Sequence, residues 1–305
     1  MQLDDFKSYV RESRSDYILT PKNLVYDSFE ELGFNSKDES YFYNEASFII
    51  EQLREKTWGT YLEEEKTFTS EMFKSLINQD ELDGYSKMDA IVMFIEKYGQ
   101  HSYSLSLSNT QSRRSRAGNE FEYMIELILM GSNIPFDTQG SVGSGVFETA
   151  QLAKMVDCVS PGANEYKINK RNTSLISAKT TLRERWQEVG DEMSRTKASE
   201  MYLATLDDSL TDNTLSLIGT NNIIIVTTKK LKDERYSTNH NVISFETMLL
   251  ELTNHLQFWE NYDFSKEEIS EKISRYENLI DANEDKEFVK KYYQNSIKYI
   301  QNKYS

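Results

Sequence analysis

The chain has 305 residues, 38% of them hydrophobic, with only 12 Gly and 3 Pro, which indicates an ordered, helix-rich globular protein with a sizeable core. No apolar run approaches the roughly 20 residues of a membrane helix, and the acidic start M-Q-L-D-D-F does not predict a signal peptide. The single cysteine, Cys158, excludes an internal disulfide and is typical of a reducing cytoplasm.

The net charge of −15 argues against a uniformly basic surface for nucleic acid, whose binding depends on neutralising phosphates. The charge is unevenly distributed, however. Residues 111–200 carry 12 basic and 12 acidic side chains, whereas the remainder carries 23 basic and 38 acidic ones. A locally basic groove on an acidic body is therefore compatible with DNA as a partner, and charge alone does not decide the matter.

Residues 1 to about 110 are expected to form a mainly helical lobe, since apolar residues recur there at helical spacing and strand-like alternation is scarce. Two stripes carry this prediction: Phe42, Ala46, Ile49, Ile50 and Leu53, and then Met88, Ile91, Val92 and Ile95. The lobe also contains Arg54 and Trp58, in the segment R-E-K-T-W-G-T-Y. Trp58 is either a core or interface aromatic or a platform on which a ligand stacks.

A polar segment with three arginines, Ser108–Arg116, is expected to be a loop or helix entry that faces solvent or phosphate. A helix follows, because Phe121–Leu129 places apolar residues at i, i+3, i+4, i+7 and i+8, and Gly131 with Pro135 ends it. Glu122 lies beside this apolar face. It either stabilises the helix amino terminus through the dipole or lies at the edge of an active site.

The pattern then changes to short apolar runs that are typical of strands. Five strands are predicted: Pro135–Thr138, Met155–Val159, Ser174–Ala178, Met201–Thr205 and Ile223–Thr227. Helices are expected from about Leu182 to Ala198, around Thr211 to Ile218, and again in the carboxyl-terminal part. This order predicts an α/β (α+β) fold with a mixed β-sheet flanked by helices. We expect a helical lobe at residues 1–110 and a core at residues 111–305.

Oxygen ligands and a lysine are the groups best suited to catalysis in this sequence. The three histidines form no zinc motif, and no nucleophile–base pairing suggests covalent catalysis. Asp157 lies within an apolar run, where a carboxylate is costly unless it binds a cation or a donor. Lys179 ends the next apolar run. An acid and an amine at the ends of adjacent strands predict a site in which the acid binds a divalent ion and the lysine stabilises phosphate charge.

A second acid is expected on the helix that follows Lys179, because the strand position two before the lysine is Ser177, which offers no carboxylate. Glu192 lies closest to the edge of the apolar stripe of that helix, and Glu188 is the neighbouring choice. Glu192 has a second interpretation, an ion pair with Arg195 one turn later.

The triplet Arg183-Glu184-Arg185 is expected in the first turn of the same helix. Two arginines oppose the helix dipole at that end, which indicates another role for them. Bidentate arginines suit guanine O6 and N7, and a carboxylate suits cytosine N4–H, so the triplet fits consecutive G·C pairs in the major groove. Glu184 also completes a capping box with Thr181, which leaves a purely helical role open.

The motifs within residues 110–195 resemble those of the PD-(D/E)xK restriction endonucleases, in the branch whose second acid has moved from the strand to the following helix. The pattern S-x-K-x-x-x-R-E-R with the late Glu192 is similar to the NgoMIV, EcoRII and SsoII group, and T-T-L-R-E-R-W resembles the SsoII-type enzymes, which cut at CCNGG. The resemblance implies a homodimeric, Mg²⁺-dependent type II site-specific deoxyribonuclease. Such an enzyme would cut both strands before the first C and leave 5′ overhangs.

The resemblance also assigns catalytic roles to residues of this chain. It implies that Asp157 and Glu192 bind the metal ion. Lys179 would be the catalytic lysine, and Glu122 would be the outer acid that orients the attacking water. Ser177 departs from the commoner family pattern, which has an acid at that position.

A second set of residues would contact DNA bases, again as the resemblance implies. The arginines of Arg183–Arg185 would read guanines, with Glu184 bridging the cytosines. Gln111 would contact the minor groove at the centre of the site. The central nucleotide is extruded in these enzymes, and Trp58 and Arg54 resemble the residues that flank the extruded base, where aromatic stacking of roughly 1–3 kcal/mol offsets much of the cost of base flipping.

The implied partners are double-stranded DNA and a second copy of the chain, in a dimer or a higher oligomer, with no membrane. A cognate methyltransferase would act on the same DNA site without having to bind the enzyme, in the cytoplasm of a prokaryotic cell. Two other functions stay open. One is a structure-selective repair or recombination nuclease of the same fold, and the other is a non-catalytic acidic protein that binds or mimics DNA. Discrete fragments from a plasmid digest distinguish restriction from the first, and full activity of Asp157→Ala would indicate the second.

Overall fold

A computed structural model describes the placement of residues 1–142, 147, 152, 156–182, 190, 193, 196 and 200–304. The chain divides into two compact units. Residues 1–28 and 53–120 form the first unit, and residues 29–52 and 121–305 form the second. The sequence places the domain boundary near residue 110, whereas the second unit begins at Phe121 and also takes up residues 29–52.

The amino-terminal part is helical, as predicted. Its helices are α1 Leu3–Glu12, α2 Arg14–Tyr17, α3 Pro21–Glu31, α4 Glu39–Lys74, α5 Gln79–Leu82 and α6 Lys87–Gly131. The two long helices, α4 and α6, contribute residues to both units and have non-helical backbone angles at Glu45 and Tyr98. A cluster of buried apolar side chains forms the core of the first unit, and it includes Phe6, Val10, Leu24, Tyr61, Phe68, Met72, Tyr98 and Leu105.

One of the two predicted apolar stripes does not enter a core. The stripe on α4 is fully buried, as its helical spacing suggests. The side chains of Met88, Ile91, Val92 and Ile95, which we call the exposed α6 face, are 69%, 57%, 45% and 64% exposed. A helical stripe of large apolar side chains in water is typical of a surface that another molecule covers.

The segment Ser108–Arg116 corrects a prediction, because it lies inside α6 and forms neither a loop nor a helix entry. Carboxylates of the same unit hold two of its arginines. Arg113 donates to Glu65 Oε2 at 2.9 Å, and buried Arg116 donates to Glu120 Oε1 at 3.1 Å. These two ion pairs therefore stabilise the helical unit, in which Arg116 is buried and both Arg113 and Arg114 are exposed.

The second unit contains a six-stranded mixed sheet. Its strands are β1 Asp137–Thr138, β2 Cys158–Ser160, β3 Ser174–Lys179, β4 Met201–Thr205, β5 Ile223–Thr227 and β6 Val242–Ser244. They lie side by side in sequence order; β1 with β2 and β2 with β3 are antiparallel, and the other neighbours are parallel. All five residues of β4 are buried, which is typical of a parallel strand covered on both faces.

Helices flank this sheet, so the predicted mixed α/β fold is confirmed. They are α7 Ala163–Ile168, α8 Asp212–Thr220, α9 Lys229–Arg235, α10 Phe245–Glu260, α11 Lys266–Asp281 and α12 Glu287–Lys303. A capping box of Ser265 and Glu268 begins α11. The helix predicted from about Leu182 to Ala198 lies largely outside the described residues, although Leu182 itself is not helical. Within the described part of the chain, every helix is too short or too polar to cross a membrane.

Candidate functional site

The sheet topology brings Asp157 and Lys179 to one place. Strand β2 runs antiparallel to β3, so the residue that precedes β2 lies beside the carboxyl end of β3. The backbone amide of Asp157 extends this pairing by donating to the carbonyl of Ile176 at 2.9 Å. Asp157 was expected within its strand, and it lies immediately before it, still aligned by a sheet hydrogen bond.

One carboxylate oxygen of Asp157 makes all of the contacts between this side chain and β3 described below. Its Oδ2 accepts a hydrogen bond from the amide of Ala178 at 2.6 Å and lies 3.3 Å from Lys179 Nζ and 3.4 Å from Ser177 Oγ. The side chains of Asp157 and Lys179 are only 23% and 15% exposed, so the pair is partly desolvated. None of these contacts uses Oδ1, and this oxygen is suited to a cation.

Glu122 belongs to the same electrostatic environment. Burial on α6 raises the pKa of Glu122 to about 7, the negative charge of Asp157 also raises this pKa, and the positive charge of Lys179 lowers it. The charges of both partners of the ion pair therefore affect the pKa of the Glu122 side chain. Of the two interpretations of Glu122, the edge of an active site and a simple dipole interaction, its coupling to Asp157 favours the first.

The two carboxylates suit a hard divalent cation. Asp157 and Glu122 repel each other in a partly buried position, and a bound cation would relieve this repulsion. Within the described residues, no third acid, histidine or cysteine completes a cluster with them. The expected second ligand, Glu192, and its neighbouring choice Glu188 both lie outside the described residues.

The base-reading triplet Arg183, Glu184 and Arg185 also lies outside the described residues. The remaining predicted residues, Gln111, Arg54 and Trp58, belong to the first unit, and each is exposed.

Trp58 is not a core residue, because 43% of its side chain is exposed. Its ring stacks on Tyr61, with centroids 5.8 Å apart and planes inclined by 29°. Tyr61 is in turn fixed by a 2.7 Å hydrogen bond to Glu65 and by the guanidinium of Arg116 over its ring. Arg54 and Trp58 are four residues apart on α4 and so lie on the same side of this helix. A supported, exposed indole with a nearby guanidinium is suited to stacking.

Sequence reasoning missed one residue next to the candidate site, Asp207. Its carboxylate accepts a hydrogen bond from the amide of Leu182 at 2.8 Å, three residues after Lys179. The sequence contains part of the signal, since Asp207 directly follows the apolar run M-Y-L-A-T-L, but only the sheet order shows that this strand ends beside β3.

Comparison with known proteins shows the family to which the chain belongs. Residues 86–249 match the protein family described as EcoRII C terminal. The chain is 43% identical over 296 residues to the type II restriction enzyme SsoII of Shigella sonnei, with 96% of each sequence covered.

Solved structures agree with this relationship. Metal-depleted Ecl18kI in complex with uncleaved, modified DNA is 41% identical, with a TM-score of 0.91 over 98% of this chain and 99% of that one. The PspGI endonuclease in its substrate DNA complex is 16% identical, with a TM-score of 0.60 over 80% of this chain and 95% of that one, and so shares the fold. The chain belongs to the EcoRII C-terminal family and is a type II restriction endonuclease, a site-specific deoxyribonuclease.

Proposed function

We propose that the protein is a Mg²⁺-dependent enzyme that hydrolyses both strands of double-stranded DNA at CCNGG, before the first C, and leaves 5′ overhangs. The observation that carries the catalytic part is the convergence of Asp157, Lys179 and Glu122 at the edge of the sheet. The sequence specificity rests on the 43% identity to SsoII and on the R-E-R triplet.

Each of the converging residues has a distinct task in this proposal. Asp157 and Glu192 would hold the metal ion, which would supply positive charge for the phosphate and for acidifying water. Lys179, fixed beside Asp157, stabilises the negative charge that develops on the attacked phosphate. Glu122 orients the attacking water, a role supported by its position on α6 in the electrostatic environment of Asp157 and Lys179.

Recognition is assigned to residues of both units. Arg183 and Arg185 read guanines, and Glu184 bridges cytosines, by the donor and acceptor pattern of the major groove. Gln111, exposed on α6, contacts the minor groove at the centre of the site. The central base is extruded and stacks on Trp58 beside Arg54, and the fixed Tyr61 beneath Trp58 supports this role because a preformed platform need not be ordered on binding.

We further propose that the enzyme acts as a homodimer in the cytoplasm of a bacterial cell. A two-fold DNA site is matched by a two-fold protein. The exposed α6 face is the contact surface that we assign to the second copy. The chain as a whole carries a charge of −15 and repels its own copies, but residues 87–107 around this face hold two lysines and two acids. A neutral apolar face is thus the part of the surface where two acidic copies can approach.

Digestion of unmethylated DNA with Mg²⁺, followed by sequencing of the ends, tests this function. We expect every end to map to CCNGG with a 5′ overhang. DNA methylated at the same site by the cognate methyltransferase, which need not bind the enzyme, should stay intact. Ends that map to no common sequence would refute the specificity, and ends that map to another sequence would correct it. Asp157→Ala serves as the control for contaminating nucleases.

A further inference from the structure

A single buried carboxylate, that of Asp207, joins the chain after β3 to the chain after β4. Its Oδ2 accepts the amide of Leu182 at 2.8 Å. Its Oδ1 accepts the amide of Ser209 at 3.0 Å and the hydroxyl of Ser209 at 2.6 Å. Both oxygens are therefore engaged, one by its own turn and one by the neighbouring strand connection.

The parallel pairing of β3 and β4 explains why Asp207 can reach Leu182. Lys179 and Thr205 are register partners at the carboxyl ends of the two strands, so the residues that follow them emerge at one edge of the sheet. Asp207 is itself held in place. Its amide donates to Thr205 Oγ1 at 3.2 Å, and its carbonyl accepts the hydroxyl of Tyr236 at 2.9 Å. Because hydrogen bonds hold both the backbone and the side chain of Asp207, its carboxylate is a rigid acceptor.

Leu182 lies in the sequence between the proposed catalytic Lys179 and the proposed base-reading triplet. It lies three residues after Lys179 and directly before Arg183, and its side chain is fully buried in the sheet core. A hydrogen bond from an amide to a carboxylate is stronger than one between neutral groups. The contact with Asp207 thus fixes the position and direction of the backbone at the last residue before the base-reading triplet.

We infer that Asp207 is a positioning residue for DNA specificity, which acts by fixing the backbone of Leu182, the residue that connects the strand of Lys179 to the Arg183–Arg185 triplet in the sequence. This inference rests on the proposed function, because it takes the triplet to read bases. Without the contact, the backbone of Leu182 would lose its anchor directly before the triplet, and small displacements cost much of the discrimination that hydrogen bonds to base edges provide.

The test compares Asp207→Asn and Asp207→Ala with Ser209→Ala as the matched control. Ser209→Ala removes a hydrogen bond to the same carboxylate but leaves Leu182 anchored. For each variant, the cleavage rate is measured on the cognate duplex and on duplexes with one base pair exchanged, and nonspecific DNA affinity and the unfolding temperature are measured alongside. We expect the ratio of cognate to exchanged-site rates to fall about tenfold or more for Asp207→Asn, with nonspecific affinity unchanged and Ser209→Ala close to wild type.

A double-mutant cycle separates positioning from general damage. In an Arg185→Ala background, where discrimination is already lost, adding Asp207→Asn should change the remaining ratio less than about twofold, because both changes act on one element. If Asp207→Ala does not fold, the isosteric Asp207→Asn carries the test. A folded Asp207 variant that keeps the wild-type ratio, or additive effects in the cycle, would overturn the inference.

The same measurements distinguish a failure of the proposed base recognition from a failure of the role of Asp207. If the wild-type enzyme cuts no fixed sequence, or if Arg185→Ala keeps full discrimination, the proposed recognition fails and this inference fails with it. If the wild type is specific and Arg185→Ala loses specificity while Asp207→Asn does not, only the role of Asp207 is refuted.

Discussion

The amino group of Lys179 lies 3.3 Å from Oδ2 of Asp157, on the oxygen that also accepts the amide of Ala178 at 2.6 Å. The acid is thus oriented by the backbone of the strand that carries the lysine. The ion pair and the backbone of β3 are therefore joined through one carboxylate oxygen.

Loss of the lysine charge should abolish catalysis with little effect on folding. Lys179→Met keeps most of the side-chain volume but removes the cation beside the phosphate, and we expect the cleavage rate to fall by about 10²–10³-fold or more. Binding of cognate DNA, measured by gel shift without a divalent ion, should stay within a few-fold. Lys167→Met, at an exposed lysine of α7, is the matched control. Cleavage by Lys179→Met at the wild-type rate would show that the site is wrongly assigned.

Glu122 should make the metal-free protein less stable as the pH rises. The pKa of Glu122 is about 7 in the folded state against 4.5 in the unfolded state, so the folded state binds the proton more tightly. The contribution of protonated Glu122 to the free energy of unfolding is fully present below pH 4.5 and is lost as the pH rises from 4.5 to 7. Above pH 7 the free energy of unfolding is lower by about 3 kcal/mol.

The variant Glu122→Gln tests this expectation by urea unfolding in EDTA at several pH values. We expect it to be more stable than the wild type at pH 8 and equal to it near pH 4. Glu271→Gln, at an exposed glutamate of α11, controls for the loss of one negative charge from an acidic chain. A stability difference that does not vary with pH would contradict the assigned cause.

The sequence predicted the mixed fold from local apolar patterns, and it predicted the proximity of Asp157 and Lys179 from the order of two neighbouring runs. The catalytic roles of this pair stay predictions. Short apolar runs identify β3, β4 and β5; Lys179 ends one such run, and Asp157 lies within another. Strand β6 escaped prediction because its three residues are too few for a periodic signal. The prediction of a loop or helix entry at Ser108–Arg116 is wrong because the partner that holds Arg113 inside the helical unit, Glu65, is distant in the sequence.

Asp207 was missed for a similar reason. Its contact with Leu182 joins residues 25 positions apart and depends on which strands are neighbours, a fact that only the sheet order supplies. The burial of Glu122 is likewise a tertiary property, and the sequence left its role open between a helix dipole and a site. The structure was needed to find the contacts of residues whose partners are distant in the sequence.

Removal of a base-reading side chain should separate specificity from affinity. Arg185→Ala or Glu184→Ala should reduce the preference for the cognate duplex by about 1–3 kcal/mol per lost base contact, while salt-dependent binding to nonspecific DNA survives. Competition binding with duplexes that differ by one G·C pair measures this preference. If affinity for all duplexes falls by the same factor, the triplet contacts the phosphate backbone and does not read bases.

The platform at Trp58 should be needed for extrusion of the central base. With 2-aminopurine at the central position, we expect fluorescence to rise when the wild-type enzyme binds, because the base leaves the stack. Trp58→Ala should lose much of this change, since stacking contributes about 1–3 kcal/mol per base. Leu62→Ala, one turn further along α4 and also exposed, is the control. An unchanged signal on binding of the wild type would argue against a base pocket at Trp58 and Arg54.

A charge on the exposed α6 face should weaken self-association. Ile91→Glu replaces an exposed apolar side chain at the centre of the face, and burying that carboxylate between two copies would raise the dimer dissociation constant by at least about 100-fold, or about 2.7 kcal/mol. Sedimentation velocity over a range of protein concentrations measures the change. Leu217→Glu, on the surface of α8, introduces the same charge at an exposed leucine elsewhere and should leave the dimer intact.

Cleavage links this surface to function. A two-fold enzyme that dissociates should cut both strands of a cognate site only at higher protein concentration, so the double-strand cleavage rate of Ile91→Glu should depend more steeply on concentration than that of Leu217→Glu. The outcome against the proposal is clear. If Ile91→Glu sediments as the wild type does and cuts with the same concentration dependence, the dimer forms through another surface and the apolar side chains of α6 serve a different partner.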